Sequence, residues 1–373
     1  MKVVVTGAGG FLGWHLRARL HALTSHEIVP IDRRNFDTID RQVRNADVIF
    51  HVAGVNRGSD SEVEKGNVEL AHAVANAVRK SWDAPRLAFA NSIMCGNDSP
   101  YGRGKAEGRD ILAAAATSVG SPFVDVVLPN LFGEHGRPRY NSFVATFAHA
   151  AANRVVPEIN DRQVELLHVQ QAAKALMDAI DVASAATIRP QGEPTSVAAV
   201  WQTLSEAHSL YRSGDIPPLA TQLDVDLFNT LRAAMFPHAY PVSLPTKSDH
   251  RGDLVECVRA HGGQGQSFIS KTVPGVTRGE HFHLGKIERF LVLRGRARIS
   301  LRRLFHDEVV SFDVAGDEPA VIDMPTMWVH NITNTGADEL VTFFWTHTIF
   351  DPDNPDTYAE KVDRDGVVAE VGA

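Results

Sequence analysis

Cysteine is nearly absent: Cys95 and Cys257 are the only two in 373 residues. They fall in different expected domains, so no disulfide framework is expected, and a reducing cytoplasm is the natural setting. No run approaches the ~20 consecutive apolar residues of a membrane helix. The first apolar stretch is short and leads straight into a glycine turn without a cleavage-site pattern, so no secretory leader is expected. A block of basic residues is also lacking. With a formal net charge of -8, nucleic acid is an unexpected partner. At this length the chain has room for two domains.

What is present begins at the first residues. MKVVVTGAGGFLGWHL reads as a buried strand, a glycine-rich turn and a helix. Gly7, Gly10 and Gly13 keep side chains out of the turn, so a pyrophosphate could approach backbone N–H groups and the positive helix end. Phe11 within this turn, and Ala53 in HVAGVN after the third strand, complete the expected cofactor cradle. In VPIDRRN, Asp32 would accept from a free ribose 2′-hydroxyl and favour NAD. Arg33 and Arg34 would pair with a 2′-phosphate and favour NADPH. In SPYGRGKAEGRD, Tyr101 and Lys105 are four apart on an expected helix and share a face. An ammonium there would lower the tyrosine pKa. Ser92, at a strand end, could hydrogen-bond a carbonyl. Cys95 follows it by three residues; it reads as a small packing residue or as part of the site lining. Ser92, Tyr101 and Lys105 together resemble the catalytic set of short-chain dehydrogenase/reductases, and HVAGVN resembles the strand-end motif of their extended subclass.

The other end carries a second chemistry. His281 and His283 stand one residue apart in GVTRGEHFHLGKIERFLVLRG. Residues two apart on a strand point to one face, so both imidazoles can aim at one metal. Glu288 adds a carboxylate, and His330 in MPTMWVHNITN adds a third imidazole. Three imidazoles and a carboxylate suit zinc or another divalent transition ion. The spacing from Gly275 through the ligands to Gly295 resembles the first cupin motif; Pro325, His330 and Asn334 resemble the second. Met327 stands where that motif has glycine, so a differently shaped turn is expected there.

Between these ends, expected strands at 3–6, 28–32, 48–52, 87–91 and 123–128 alternate with helices, notably 68–79 and 101–116. The alternation implies an α/β doubly wound parallel sheet. Helices are expected at 145–152, 170–183, 197–210 and 223–235, as a substrate-side lobe. Residues 236–249 hold three prolines and read as a linker. After it, short β-rich runs at 254–259, 266–273, 289–293, 297–302, 309–314, 320–324 and 340–346 suggest a sandwich or small barrel. The expected division is therefore 1–243, a Rossmann-type extended reductase domain, and 251–373, an all-β cupin domain.

HVAGVNRG, PNLFGEHGRPRYNSFVATF, NDRQVEL, the GEHFH to ERFLVLRG block and FDPDNPDTY extend the likeness to the whole chain. It resembles the bifunctional capsular-polysaccharide enzymes of UDP-N-acetyl-L-fucosamine biosynthesis. That resemblance implies a cupin domain that epimerises C3 of a UDP-4-keto-6-deoxyhexosamine. It further implies a reductase domain that then reduces C4 with NADPH to a UDP-2-acetamido-2,6-dideoxy-L-talose. It also implies zinc in the cupin, a homodimer, and NADPH over NAD because Arg33 matches a family arginine. Tyr101 would donate the proton, Lys105 would bind the nicotinamide ribose, and Ser92 would orient the carbonyl. Asn130 in PNLFG matches the asparagine that faces the sugar nucleotide; Arg139, Asn141 and Arg162 are further candidates for the substrate. Val164 and Gln171 depart from the extended pattern, which leaves the holding of the diphosphate open. Lys286 matches a family lysine and is one candidate for the epimerisation base; His283 or another histidine of the ligand region is another. A reductase with a purely structural metal-bound cupin, and a sugar sensor without turnover, are the rival readings.

Overall fold

The structure is a computed structural model that describes residues 1–81, 83–250 and 252–364. These form two compact units. Residues 1–132, 139–142 and 163–195 make the first; residues 133–138, 143–162 and 196 onward make the second.

The first unit is built on a six-stranded sheet, and every strand pair in it is parallel. In spatial order its strands are Glu27–Ile31, Lys2–Thr6, Val48–His51, Arg86–Ser92, Phe123–Leu128 and Ala186–Ile188. Alternation along each strand explains the two layers of helices. Val3, Val5, Val48, Phe50, Ala88, Val124 and Val126 pack against Leu16 and Leu20 of helix Phe11–Leu23 and Leu176 of helix Val169–Asp178. Val4, Ile49, Leu87, Phe89 and Phe123 pack the opposite way, against helices Asp60–Arg79 and Pro100–Ser118. The chain reverses its direction of winding between Lys2–Thr6 and Val48–His51. That reversal opens a crevice at the strand ends, where such sheets bind nucleotides.

Helix Asp60–Arg79 starts eight residues before the expected 68. The signal was in the sequence: Ser59 and Glu62 form a capping box, with the Glu62 amide donating to Ser59 Oγ and the Ser59 amide to Glu62 Oε2 at 2.7 Å.

In the second unit two five-stranded antiparallel sheets carry the expected cupin-type all-β fold. One runs in the order Val242–Ser243, Ala320–Met324, Glu288–Arg294, Leu340–Thr346, Gln266–Thr272. The other runs Val309–Ala315, Arg296–Arg303, Trp328–Asn334, Thr277–Phe282, Tyr358–Ala359. The stretch expected as a linker contributes to this unit instead. Val242 pairs with Val321, and Thr246–Asp249 forms a hairpin with Gly252–Val255. Proline obscured the pattern, yet an edge strand tolerates it. The run expected as a strand at 254–259 leaves the ladder after Val255; the Cys257 carbonyl accepts from Arg289 instead.

Helices Val197–Tyr211 and Gln222–Met235 join the β-sheets of this unit through a buried polar network. The Arg289 guanidinium donates to both Asp323 oxygens at 2.7 and 2.9 Å, and both residues are fully buried. The Tyr211 hydroxyl donates to Asp323 Oδ2 at 2.6 Å and is bonded in turn to the Tyr240 hydroxyl. Burial would raise the Asp323 carboxyl; Arg289 and Arg232 more than offset this and hold it below the ordinary carboxylate range. Asp323→Ala is expected to cost about 3–5 kcal/mol, because it strands a buried guanidinium. Paired replacement of Arg289 and Asp323 by apolar residues is expected to cost much less. Denaturant unfolding of both variants checks this; equal losses would show that packing, not charge, holds the region.

Candidate active sites

In the first unit the glycine turn is shaped by close approaches. Gly7 has φ +68°, and a Cβ there would lie 2.7 Å from the Ala53 amide nitrogen. A Cβ at Gly13 would lie 2.1 Å from the Gly7 carbonyl oxygen. Any side chain at either position would push the helix off the strand end. Gly10 caps helix Phe11–Leu23 with no side-chain hydrogen bond and no acid in the first turn. The first amides of this helix thus face outward for an anion. The cradle fits a dinucleotide pyrophosphate.

At the end of the next strand, Arg34 is committed to Asp32, donating to Oδ2 at 2.7 Å. That hydrogen bond holds the Asp32 carboxyl below its ordinary range. Arg33 is exposed and has no hydrogen-bond or ion-pair partner among the described residues. Arg34 therefore occupies the carboxylate that a ribose hydroxyl would use, and Arg33 remains as the uncommitted cation.

Ser92 ends strand Arg86–Ser92, and Tyr101 sits in the first turn of helix Pro100–Ser118, capped by Ser99. Burial pushes the Tyr101 phenol up; a hydrogen bond with Ser92 counters this in part, and Cys95 adds a further upward push. This corrects the expectation of a lowered tyrosine pKa. The reason is geometric. Lys105 is buried and donates to the Ala90 carbonyl at 2.6 Å, with its Nζ 6.0 Å from the Tyr101 ring centroid. Its charge is spent on the strand backbone and on the face of Phe89, 4.1 Å away. Burial lowers the Lys105 pKa to about 8, against a raising influence from Asp125.

The substrate candidates disperse. Asn130 opens strand Asn130–Phe132 and donates to the Glu165 carbonyl at 3.2 Å. Asn141 accepts from Arg57 at 3.4 Å, and Arg57 also lies 5.2 Å from the Tyr140 ring. Arg139 has a left-handed φ of +55°. Arg162 belongs to the second unit, where its carbonyl accepts from the Val197 amide at 3.1 Å. Arg57 was missed by sequence reading, although it directly follows HVAGVN.

In the second unit His281, His283, Glu288 and His330 converge, with one ligand atom of each within 4.8 Å of the others. Glu288 Oε2 lies 3.2 Å from His283 Nε2, 3.3 Å from His330 Nε2 and 3.9 Å from His281 Nε2. His281 closes strand Thr277–Phe282 after a register shift at Glu280, whose φ is +60°. His330 lies in Trp328–Asn334, paired directly with His281. His283 Nδ1 bonds to the Asp356 carbonyl, and His330 Nδ1 to the Trp328 carbonyl at 3.0 Å. A carbonyl can only accept, so each Nδ1 carries a proton and each Nε2 is the nitrogen left to ligate a metal. Burial would raise Glu288, but the three neighbouring histidines outweigh it and hold the carboxyl well below its usual range. Burial pushes the His330 imidazole down to about 4, so it is neutral at pH 7. Three converging imidazoles and a carboxylate, all buried but His281, which is half-buried, fit a divalent metal ion.

Two residues nearby shape the surrounding turns. Met327 takes φ +61°, the conformation that glycine would adopt more cheaply. Its side chain is fully buried and its amide donates to the His283 carbonyl at 2.7 Å. The glycine-like turn is kept, and packing of the methionine sustains it. Lys286 donates to the Pro355 carbonyl and to Thr357 Oγ1 at 3.1 Å. Asp356, unnoticed in the sequence, organises this turn: its carboxylate accepts the amides of Leu284, Gly285 and Lys286 at 2.8–2.9 Å. The repeated Asp and Pro in FDPDNPDTY were the available signal.

Among the described residues no helix is long and apolar enough to cross a membrane. A family model described as the NAD dependent epimerase/dehydratase family matches residues 3–189, and one described as the polysaccharide biosynthesis C-terminal domain matches 247–358. A UDP-2-acetamido-2,6-beta-L-arabino-hexul-4-ose reductase of Pseudomonas aeruginosa is 34% identical over 370 residues, covering 97% of this chain and 99% of that protein. The crystal structure of the capsular polysaccharide assembling protein CapF from Staphylococcus aureus is 31% identical, with a TM-score of 0.64 over 97% of this chain and 100% of that one. A UDP-glucose 4-epimerase of Thermotoga maritima shares the fold alone, at 16% identity, 56% of this chain, 83% of that one and a TM-score of 0.51. The chain belongs to the NAD dependent epimerase/dehydratase family and carries a polysaccharide biosynthesis C-terminal domain on the same polypeptide.

Proposed function

We propose that this protein is a bifunctional nucleotide-sugar enzyme. Its C-terminal β-domain epimerises C3 of a UDP-4-keto-6-deoxy-N-acetylhexosamine, and its N-terminal domain reduces the C4 ketone to give UDP-2-acetamido-2,6-dideoxy-L-talose. One observation carries the reading. The largely buried three-histidine, one-glutamate cluster stands on a chain that also keeps Ser92, Tyr101 and Lys105. The named reductase of P. aeruginosa, similar over nearly its whole length, supports the choice of substrate class.

In the reductase site NADPH would supply the hydride. Ser92, which acts to lower the Tyr101 pKa, orients the ketone oxygen. Tyr101 gives that oxygen its proton, and its raised pKa keeps the phenol protonated until the oxygen becomes basic. Lys105 binds the nicotinamide ribose and keeps a positive charge behind the site. The glycine turn holds the pyrophosphate, and Arg33 reads the 2′-phosphate.

In the β-domain, His281, His283, Glu288 and His330 would hold a divalent ion, zinc being the natural choice. Such an ion, when bound, acts as a Lewis acid toward a carbonyl. Trp328 and Asp356 carbonyls keep two of the imidazoles in the liganding tautomer. The hydrogen on C3 is acidic because C4 is a ketone, so a base of this domain can remove it and its return to the other face inverts C3. Reduction of C4 then removes that acidity and fixes the new configuration. The order of the two steps follows from this chemistry. A homodimer is part of the proposal.

Tyr101→Phe is expected to lose roughly 10²–10⁴ in NADPH oxidation and to retain deuterium entry at C3 in D2O, followed by proton NMR. Undiminished NADPH turnover would remove Tyr101 from the mechanism. Arg33→Ala is expected to weaken NADPH by about 1.5–3 kcal/mol and to leave NADH nearly unaffected. Equal losses, measured by binding titration, would assign the choice to Asp32. His281→Ala is expected to lose bound metal and C3 exchange while still consuming NADPH on a pre-epimerised ketone. Normal exchange in a folded, metal-free protein would refute the role of the ion. A lowered melting temperature without loss of exchange would favour a purely structural site.

A further inference from the structure

Beneath Lys105 the sheet carries a row of side chains that the reaction above does not use. Thr6, His51, Phe89 and Asp125 occupy one register line across four neighbouring strands. All four are buried and lie on the side of the sheet covered by helices Asp60–Arg79 and Pro100–Ser118, because they alternate with residues of the opposite core. The Lys105 ammonium rests on the ring of Phe89, in the middle of this row. On one side of Phe89 lies His51, stacked on it at 5.5 Å and bonded to Thr6 at 2.9 Å. Burial first, and Lys105 second, press the His51 pKa down to about 3, so this neighbour is neutral. On the other side, one strand spacing or about 4.8 Å away, lies Asp125.

Asp125 is out of place in the otherwise apolar strand FVDVVL and is only 6% exposed. Its Oδ1 has no hydrogen-bond partner among the described residues, and neither has the Nδ2 of the adjacent buried Asn91. Burial raises its carboxyl, while Asn91, Arg109, Lys105 and Arg189 act to lower it. A buried carboxylate at such a place is expensive unless it answers a charge. Lys105 is a buried cation that donates to one backbone carbonyl and forms no direct ion pair among the described residues. The other groups facing Lys105 are accounted for. His51 is neutral, Tyr101 is protonated, and Arg109 is a like charge that donates to the Cys95 sulfur at 4.0 Å and pairs with Asp110. Helix Asp60–Arg79 meets this helix at Gly104 and Gly108 through Asn67, Ala71 and the backbone of Glu64, whose side chain pairs with Arg103 at the surface. Of the two groups that raise the Lys105 pKa, Asp125 acts more strongly than Cys95.

We propose that Asp125 is a positioning residue of the reductase site: its buried carboxylate is the counter-charge that keeps the Lys105 ammonium charged and seated on Phe89 below Tyr101. The proposal rests on the reading of the first domain as a ketoreductase, and it adds a group that touches neither cofactor nor substrate. The sign is fixed by electrostatics. Removing the negative charge disfavours the ammonium, so Lys105 loses its proton at lower pH.

The full chain labelled with 13C at lysine Cε tests this, with Lys105 assigned by Lys105→Arg. Asp125→Asn, close in shape, is expected to move the Lys105 titration down by roughly one unit or more. The alkaline limb of kcat/KM for ketone reduction is expected to move with it, and Asp125→Glu is expected to restore both. The reciprocal measurement uses a different variant: in Lys105→Met the Asp125 carboxyl, followed by carboxylate 13C NMR, is expected to titrate higher. A Lys105 titration unmoved in Asp125→Asn, or an Asp125 titration unmoved in Lys105→Met, overturns the proposal even if stability falls. A Lys105 shift in a protein whose wild type reduces no keto sugar leaves the pair standing and refutes the reductase reading instead.

Discussion

Charge taken out of water is the constraint around which both sites are built. Lys105 sits with its ammonium inside the first unit, and Glu288 with its carboxylate inside the second. Either group alone would cost several kcal/mol to bury and would neutralise itself. Each is kept charged by what surrounds it. Lys105 has a carbonyl, an aromatic face and the field of Asp125. Glu288 has three imidazoles within 3.9 Å. The same surroundings that make these charges tolerable also aim them, which is the economy of a preorganised site.

The second unit repeats the solution where no reaction is proposed. Arg289 follows Glu288 directly in sequence and points the other way, to the Gly214 carbonyl and to Asp323, which also accepts from Tyr211. Alternation along one strand thus sends a carboxylate to the histidine cluster and a guanidinium to the helices Val197–Tyr211 and Gln222–Met235. Arg232 of the latter helix bonds to the Met324 carbonyl, and Asn229 to the Gly285 carbonyl at 3.0 Å. Met324 is the register partner of Glu288. The helices therefore brace the strands that carry the ligands, and the buried ion pair is part of the brace.

The proposed joining of two chemistries on one chain would have a reason in the keto sugar itself. The ketone at C4 makes C3 labile, and only its reduction makes the new configuration permanent. An epimerase releasing its product would return an equilibrium mixture, whereas a reductase acting on the same ketone withdraws one isomer. This is the physical sense of the proposed pairing.

Much of this was legible in the residues alone. The strand–glycine–helix start, the four-residue spacing of Tyr101 and Lys105, and the two-residue spacing of His281 and His283 each follow from local periodicity, and local periodicity is written in the chain. So was the helix start at Ser59, through its capping box, although the apolar pattern hid it. Tertiary structure alone decided the rest, because it depends on distance between residues far apart in sequence. It set the direction of the Tyr101 pKa, since burial, not the spacing to Lys105, dominates it. It placed Asp356 under the turn at Leu284–Lys286 from some seventy residues away. It made residues 242–249 part of the β-domain, because a strand exists only through its partner. And it brought Asp125 beside Phe89 and Lys105, where a single carboxylate in an apolar strand acquires a charge to answer.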